Sequence, residues 1–365
     1  MIGALQRGLD RLRGTGAASV TVPSMDGALR PNTLLETATV LAGITAPDNL
    51  ASDGSHIYLS SGGSLLRLTP QQSEAQEVGQ FAAPIACLAG HASGLLAVGL
   101  DDGRLLLRGG AQDGRAFTAL AGEPLRCPTA LAFADPQTLF VCLGSRSTAP
   151  LAWKRDLMER NASGSVWRLD LASGAATCLG ERLAYPCGVS PGPAGEVVVA
   201  EAWRHRLIAL AAGRAPRVVI GDLPGYPSRL APAADGGHWL CIFAPRRQMI
   251  EFVLREPAYR QRTLRELPED LWMAPALCSG RSFQEPLQGG AVKHLGIDKP
   301  WAPSRSYGLL VRLSAAYGPI ASAHSRADGQ RHGITSALTA GAHVLTTSKG
   351  GDLLLRLDTA ALDGE

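Results

Sequence analysis

Several absences limit what this sequence can encode. No apolar run approaches the roughly 20 residues that a membrane-spanning helix needs, and the N-terminus lacks the uninterrupted apolar core of a secretory signal. Lysine is scarce, with four among 365 residues, and the formal net charge is only +3. A charge this small provides no basic patch for nucleic acid, so we expect no nucleic-acid partner.

The cysteines also exclude common architectures. Seven is an odd number, and no two of them have CxxC spacing, which argues against a zinc ribbon or a disulfide scaffold. A reducing, cytoplasmic compartment is therefore expected. Residues 1–14, MIGALQRGLDRLRG, predict a terminal helix that packs or frays. Contact of this basic amphipathic segment with a membrane surface is the less favoured alternative.

What the sequence does contain is a repeat of short apolar strands. The stretch Leu183–Leu230 holds one four-strand unit and the start of the next, with strands opening at Cys187 and Ser228. A unit of about 40 residues with four strands is typical of a propeller blade. Six hairpins recur along the chain: Ile57–Leu68, Leu95–Leu107, Leu139–Leu171, Val197–Leu210, Trp239–Val253 and Val344–Leu357. The prediction is an all-β, six-bladed β-propeller.

The domain prediction is an N-terminal extension over residues 1–40 and a propeller over residues 41–360. Two segments are longer than a blade requires, residues 144–165 in the third hairpin and residues 257–306, which we place between blades five and six. Leu309–Leu313 is then an extra strand before the last unit. Residues 258–305 contain Trp272, Phe283 and Trp301, and predict a lid over one mouth of the ring. A packed surface excursion is the alternative.

The innermost strands can be aligned by a shared first residue. Five begin with proline, which a strand tolerates at its first position, and the last begins with Ile334. The residue after each of these starts the strand that faces the central channel. We therefore predict one ring of side chains at one mouth of the channel: Asp48, Ile85, Thr129, Cys187, Ser228 and Thr335.

Four motifs carry a resemblance to a known family. They are VVVAEAWRHRL, LPGYPSRL, YGLLVRL and HGITSAL. Together they resemble the strictosidine synthase-like family, six-bladed propellers related to the gluconolactonase, regucalcin and paraoxonase hydrolases. The resemblance extends from about Pro47 to Leu357, and it implies that a small molecule binds in the axial channel.

The resemblance also implies which positions would bind a metal ion, and these can be compared with the residues present. In the hydrolase branch a calcium ion is held by carboxylate and asparagine side chains, and the matching positions in this chain are Asp48, Thr129, Cys187 and Ser228. Only Asp48 is a carboxylate, whereas calcium requires six to eight oxygen ligands. We therefore expect no cofactor, with a weakly bound calcium ion at Asp48 as the alternative. The synthase glutamate corresponds to Thr335, which cannot transfer protons as a carboxylate does, so a Pictet–Spengler synthase is not expected.

The remaining chemistry suggests an esterase or lactonase. The hypothesis has Cys187 as nucleophile, His332 as its base and Asp48 beside them. Asn49, Thr129, Ser228, Arg229 and Thr335 would contact the substrate. Two alternatives stay open: Cys187 is a small buried filler, and Asp48 ties backbone amides together. The corresponding alternative function is a non-catalytic propeller that binds a small ligand or a partner protein.

Two further groups are interpreted as structural. Glu201 is expected to pair with an arginine, with Trp203 packed between blades. Tyr226 is expected to be a packed corner residue.

Overall fold

Six antiparallel sheets of four strands each arise from the repeated hairpins. The computed structural model describes residues 22–68, 75–192, 195–282, 284–286, 293–294, 297–298 and 305–362. The innermost strand of each sheet contacts the innermost strands of the sheets on both sides, so the sheets form a closed ring. The predicted six-bladed β-propeller is confirmed.

Within each blade the strands run in order from the channel outward. Blade one contains Pro47–Ser52, Ile57–Ser61, Ser64–Leu68 and Ala75–Gln80; blade two contains Ile85–His91, Leu95–Leu100, Leu105–Arg108 and Ala116–Phe117. Blade three contains Pro128–Asp135, Thr138–Leu143, Gly164–Asp170 and Ala176–Leu183; blade four contains Pro186–Pro191, Val197–Glu201, Arg206–Leu210 and Arg217–Ile220. Blade five contains Gly225–Pro232, His238–Pro245, Leu309–Leu313 and Pro319–His324; blade six contains Ile334–Ala340, His343–Ser348, Leu353–Asp358 and Thr39–Gly43.

Short elements connect or extend the blades. Two small hairpins pair Ala119–Leu120 with Glu123–Pro124 and Lys293–His294 with Ile297–Asp298. Within the described ranges the α-helices are Leu34–Thr37, Trp153–Glu159, Gln248–Val253 and Pro257–Glu266. The 3₁₀ turns in the same ranges are Gly27–Leu29, Gly110–Gln112, Pro150–Ala152, Ala202–Arg204, Glu269–Leu271 and Thr359–Leu362. None of the helices within the described ranges is long and apolar enough to cross a membrane, and residues 1–14, where a membrane contact was considered, lie outside those ranges.

The core lies between neighbouring blades. Central strands are buried on both faces, as in Val197–Glu201 and His238–Pro245, every residue of which is buried. This explains why these strands read as continuous apolar runs rather than as alternating patterns. Burial of both faces fixes each blade against two others, and therefore holds the inner strands at a common axis.

The ring is closed by the N-terminal segment. Thr39–Gly43 pairs antiparallel with Leu353–Asp358 and becomes the outermost strand of blade six. The sequence pattern did not reveal this strand, because its hydrogen-bonding partner lies more than 300 residues away along the chain.

Five of the six predicted hairpins are confirmed, and the fifth is wrong. After His238–Pro245 the chain forms the helix Gln248–Val253, and the strand pairs instead with Leu309–Leu313. The apolar residues of this helix were mistaken for a strand, although they bury Ile250 and Val253 on one helical face. Leu309–Leu313 is thus the third strand of blade five, and the long insertion lies inside that blade rather than after it.

The closing segment should contribute measurably to stability. Leu35 is fully buried beside Leu355 and Leu357, so Leu35→Ala should lower the free energy of unfolding by about 2–5 kcal/mol. Val40, in the same segment, is 44% exposed, and Val40→Ala should change it by less than about 0.5 kcal/mol. Urea titrations measure both, and equal effects would contradict docking of this segment.

Candidate active site in the axial cavity

A cavity of about 200 Å³ lies where the inner strands converge. All six residues of the predicted ring line it, although they come from six different blades. The full lining is Asp48, Pro84, Ile85, Ala86, Asp101, Thr129, Pro150, Leu151, Trp153, Tyr185, Cys187, Trp203, Ser228, Arg229, Phe243, Leu277, Thr335 and Lys349. Most of these are apolar or aromatic, as in small-molecule sites generally.

One side of the cavity is an aromatic wall of Trp153, Tyr185, Trp203 and Phe243. The rings of Tyr185 and Trp203 stack with centroids 4.5 Å apart, and Trp153 meets Phe243 edge-on at 5.3 Å. Trp203 Nε1 donates to Asp156 Oδ1 at 2.8 Å, which fixes the indole. These contacts preorganise an apolar aromatic surface.

The wall differs from the predicted lid. Of the segment 258–305, Leu277 lines the cavity, whereas Trp272 is buried against Leu157 and Met158 with its indole N–H bonded to Leu267 O. Phe283 and Trp301 lie outside the described residues. Trp153, which belongs to the shorter insertion of blade three, contributes to the aromatic wall, and the lid over the mouth stays a prediction.

The motif around Trp203 is structural and also contributes to the cavity. Glu201 is fully buried and binds Arg204 and Arg206 through its two oxygens at 2.5 and 2.6 Å, which confirms the expected ion pair. Trp203, in blade four, packs against Tyr185 and against Tyr226 of blade five, as predicted, but it also lines the cavity. Tyr226 is a fully buried corner residue whose hydroxyl donates to Glu251 at 2.8 Å.

The polar end of the cavity is an ion triad of Asp48, Arg229 and Lys349. Asp48 Oδ1 accepts a hydrogen bond from Arg229 Nη1 at 2.8 Å, and Oδ2 accepts one from Lys349 Nζ at 2.8 Å. The backbone N–H of Asn49 donates to Oδ1 at 2.9 Å. Burial disfavours the charged carboxylate, but Arg229, Lys349 and a hydrogen bond from Thr335 outweigh it and lower the pKa of Asp48 to about 2.

Lys349 was missed by the sequence reasoning. It directly follows the strand His343–Ser348 of blade six, at the end that faces Asp48. Its signal was available, because lysine is scarce in this chain and this one is the first residue of the hairpin turn between the strands His343–Ser348 and Leu353–Asp358.

Three of the ring side chains are tied to the next blade. Thr129 Oγ1 donates to Pro186 O at 2.5 Å, Cys187 Sγ to Pro227 O at 3.1 Å, and Ser228 Oγ to Thr335 O at 3.1 Å. Their donor hydrogens are therefore used within the protein. These side chains shape the cavity, and their contact with a substrate stays a prediction.

The Cys187–His332 pair is not formed. His332 is not among the lining residues; its Nδ1 lies 2.7 Å from Ser306 Oγ and its Nε2 lies 2.8 Å from Arg326 O. Burial raises the pKa of the Cys187 thiol to about 12 despite the opposing effect of Arg229. A protonated thiol without a base is not an activated nucleophile, so the structure corrects the prediction of covalent catalysis by this pair.

Asn49 also differs from its predicted role in substrate binding. It is fully buried with a positive φ of 59°, a conformation that asparagine tolerates better than most residues. The strand register shifts at this position, so the side chain turns away from the cavity and donates to Ser60 Oγ at 2.8 Å. Because its side chain lies in the protein interior, Asn49 does not face the cavity and does not have the predicted role in substrate binding.

The polar end does not suit a calcium ion. Its single carboxylate already binds two cationic side chains, and Thr129, Cys187 and Ser228 direct their donor hydrogens at carbonyl oxygens. Across the described ranges, no group of three or more His, Cys, Asp or Glu side chains could hold a metal ion. The donor set therefore differs from the charged oxygen cage that calcium prefers.

Comparison with known proteins places the fold. No family model and no curated protein matches the sequence. Among solved structures, a gluconolactonase from Xanthomonas campestris shares 12% identity at a TM-score of 0.56, over 87% of this chain and 88% of that one. A calcium-binding regucalcin from Agrobacterium tumefaciens shares 14% at 0.53, over 88% and 93%.

The likeness to these structures concerns the fold. The chain is a six-bladed β-propeller with an axial cavity where its inner strands converge. Within that class its structural neighbours are propellers of the gluconolactonase and regucalcin type. The narrower likeness to strictosidine synthases stays a prediction.

Thiol labelling tests the state of Cys187. Because Cys187 is buried and its pKa is raised to about 12, it should react with a maleimide far more slowly than exposed Cys178 in the folded protein at neutral pH. Peptide mass spectrometry measures both rates, and labelling in denaturant is the control. Rapid modification of Cys187 would restore the nucleophile hypothesis.

Acid titration tests the ion triad. Because the folded-state pKa of Asp48 is lowered to about 2, its stabilisation is present above pH ~4 and is lost as the pH falls toward 2. Asp48→Asn should therefore remove about 2 kcal/mol at neutral pH, and the difference from wild type should shrink on acidification. Urea titrations across this pH range measure it. Glu77→Gln, at an exposed carboxylate on the outermost strand of blade one, is the control and should change the free energy of unfolding by less than about 0.5 kcal/mol; an equally small effect of Asp48→Asn would contradict the triad.

Proposed function

We propose that the axial cavity binds a small uncharged ester or lactone and hydrolyses it. The observation that carries this proposal is Asp48 held between Arg229 and Lys349 at the polar end of an aromatic-walled cavity. Four charged side chains line the cavity, the acids Asp48 and Asp101 and the bases Arg229 and Lys349, so their formal charges cancel. A cavity with balanced charge and an apolar wall favours an uncharged ligand over an ion.

The triad offers a route to hydrolysis through an exchange of hydrogen bonds. When a carbonyl oxygen accepts a hydrogen bond from Lys349, Oδ2 of Asp48 loses its donor and can accept a proton from water. The water oxygen then bonds to the carbonyl carbon while the carbonyl π electrons move to oxygen, where Lys349 stabilises the negative charge. When this tetrahedral intermediate collapses, the carbonyl double bond forms again and the bond to the alkoxy group breaks. The leaving alkoxy oxygen takes the proton from Asp48. Arg229 holds Oδ1 throughout.

The fold adds modest support. A gluconolactonase is among the structures that share the propeller, although fold alone is a weak guide to activity. Membership of the strictosidine synthase-like group is compatible with this site, but Thr335 bonds to Thr347 Oγ1 at 3.1 Å and offers no carboxylate for a Pictet–Spengler step.

A second candidate is a propeller that binds a small ligand without turnover. It is favoured by the contacts of Asp48, whose two oxygens already accept hydrogen bonds from the Asn49 N–H, Arg229 and Lys349 and whose low pKa makes it a weak base. In that case the same cavity and aromatic wall would serve recognition alone.

A substrate screen distinguishes the two candidates. Purified protein is assayed with aryl esters, alkyl esters and lactones, and Asp48→Asn and Lys349→Ala should lower kcat by about 10²-fold or more. Arg214→Ala, at an exposed arginine outside the cavity, should retain full activity.

Binding is measured in parallel by quenching of tryptophan fluorescence, since Trp153 and Trp203 line the cavity. Saturable quenching with no product would contradict hydrolysis and establish the binding function. Turnover that survives both triad substitutions would place the chemistry elsewhere.

A further inference from the structure

The side chain of Arg229 makes the contacts that a bound cation would make. Its Nη1 lies 2.8 Å from Asp48 Oδ1 and 3.2 Å from Thr335 O, and its Nη2 lies 2.8 Å from Ala86 O. These acceptors come from blades one, six and two, whereas Arg229 belongs to blade five. A carboxylate and two carbonyl oxygens that converge from separate elements are the kind of ligands that hard divalent cations take.

We propose that Arg229 is the resident cation of this cavity, so that the propeller needs no divalent ion there. The guanidinium neutralises Asp48 and ties blades one, two and six to blade five. Its removal opens a site for a divalent cation around Asp48. This inference concerns how the cavity is stabilised, and it does not depend on ester hydrolysis.

Electrostatics explains why a guanidinium and a divalent ion exclude each other at this position. Asp48 is only 7% exposed, and a buried carboxylate must be compensated by nearby positive charge. Arg229 is always charged and its planar group can serve several acceptors at once. A divalent ion at the same oxygens would meet this positive charge at close range in a partly desolvated site, where repulsion is strong.

Geometry predicts what remains when the guanidinium is removed. In Arg229→Ala the carboxylate of Asp48 and the two carbonyl oxygens stay, because they belong to other blades. Space for an ion and its water ligands replaces the guanidinium. Lys349 still binds Oδ2 at 2.8 Å and the Asn49 N–H still donates to Oδ1, so the ligand position that Arg229 occupied on Oδ1 is the one left for an ion.

Thermal unfolding in EDTA and in millimolar Ca²⁺ tests the proposal. The wild type should have the same Tm in both. Arg229→Ala should have a lower Tm in EDTA and recover about 5 °C when Ca²⁺ saturates the site. Lys349→Ala is the matched control, since it removes a positive charge from the same carboxylate but leaves Arg229 in place; its Tm should not respond to Ca²⁺.

Each other outcome overturns the inference. A calcium-dependent Tm in the wild type, or one equivalent of metal in the purified protein by elemental analysis, would show that Arg229 does not replace an ion. No response of Arg229→Ala to Ca²⁺, Mg²⁺ or Mn²⁺ would show that its acceptors form no cation site. If Arg229→Ala does not fold in EDTA, Arg229→Gln keeps most of the side-chain length and carries the same expectation.

Discussion

Strands that converge on one axis leave backbone carbonyls that the blades themselves do not satisfy. Each innermost strand has a free edge, and a buried carbonyl without a donor is costly. This chain meets the requirement with side chains of the preceding blade: Thr129, Cys187 and Ser228 each donate to a carbonyl of the following inner strand. The rest of the cavity depends on this arrangement, because it sets the spacing of the strands around the channel.

The need to provide donors for these carbonyls also determines where the charged side chains lie. Arg229 extends from one inner strand across the channel and donates to carbonyls of two other blades before it meets Asp48. Lys349 approaches the carboxylate from blade six. A buried carboxylate between two cations is stable in its ionised form, which is why its pKa is low. The polar end of the cavity is therefore a structural tie between blades, and it is also where we propose that hydrolysis takes place.

Much of the fold was predictable, because a propeller repeats a local pattern. Strand–turn–strand segments and a proline at the start of the inner strand are short-range signals, and they placed Asp48 and Cys187 on one cavity correctly. Errors arose where the structure departs from local rules. Blade five is interrupted by a helical insertion, so His238–Pro245 finds its partner far along the chain. A register shift turns Asn49 inward, and no sequence period shows that Arg229 would reach across the channel or that His332 would bond elsewhere.

The strand Thr39–Gly43 has a consequence for how the molecule assembles. It precedes all the blades in the chain, yet its partner Leu353–Asp358 is the final strand. During synthesis this early segment must therefore wait, with its backbone unpaired, until nearly the whole polypeptide has emerged. Joining the two ends is a late event of high contact order, which slows folding. Until it occurs, the last blade has an open edge that could recruit a strand from another chain.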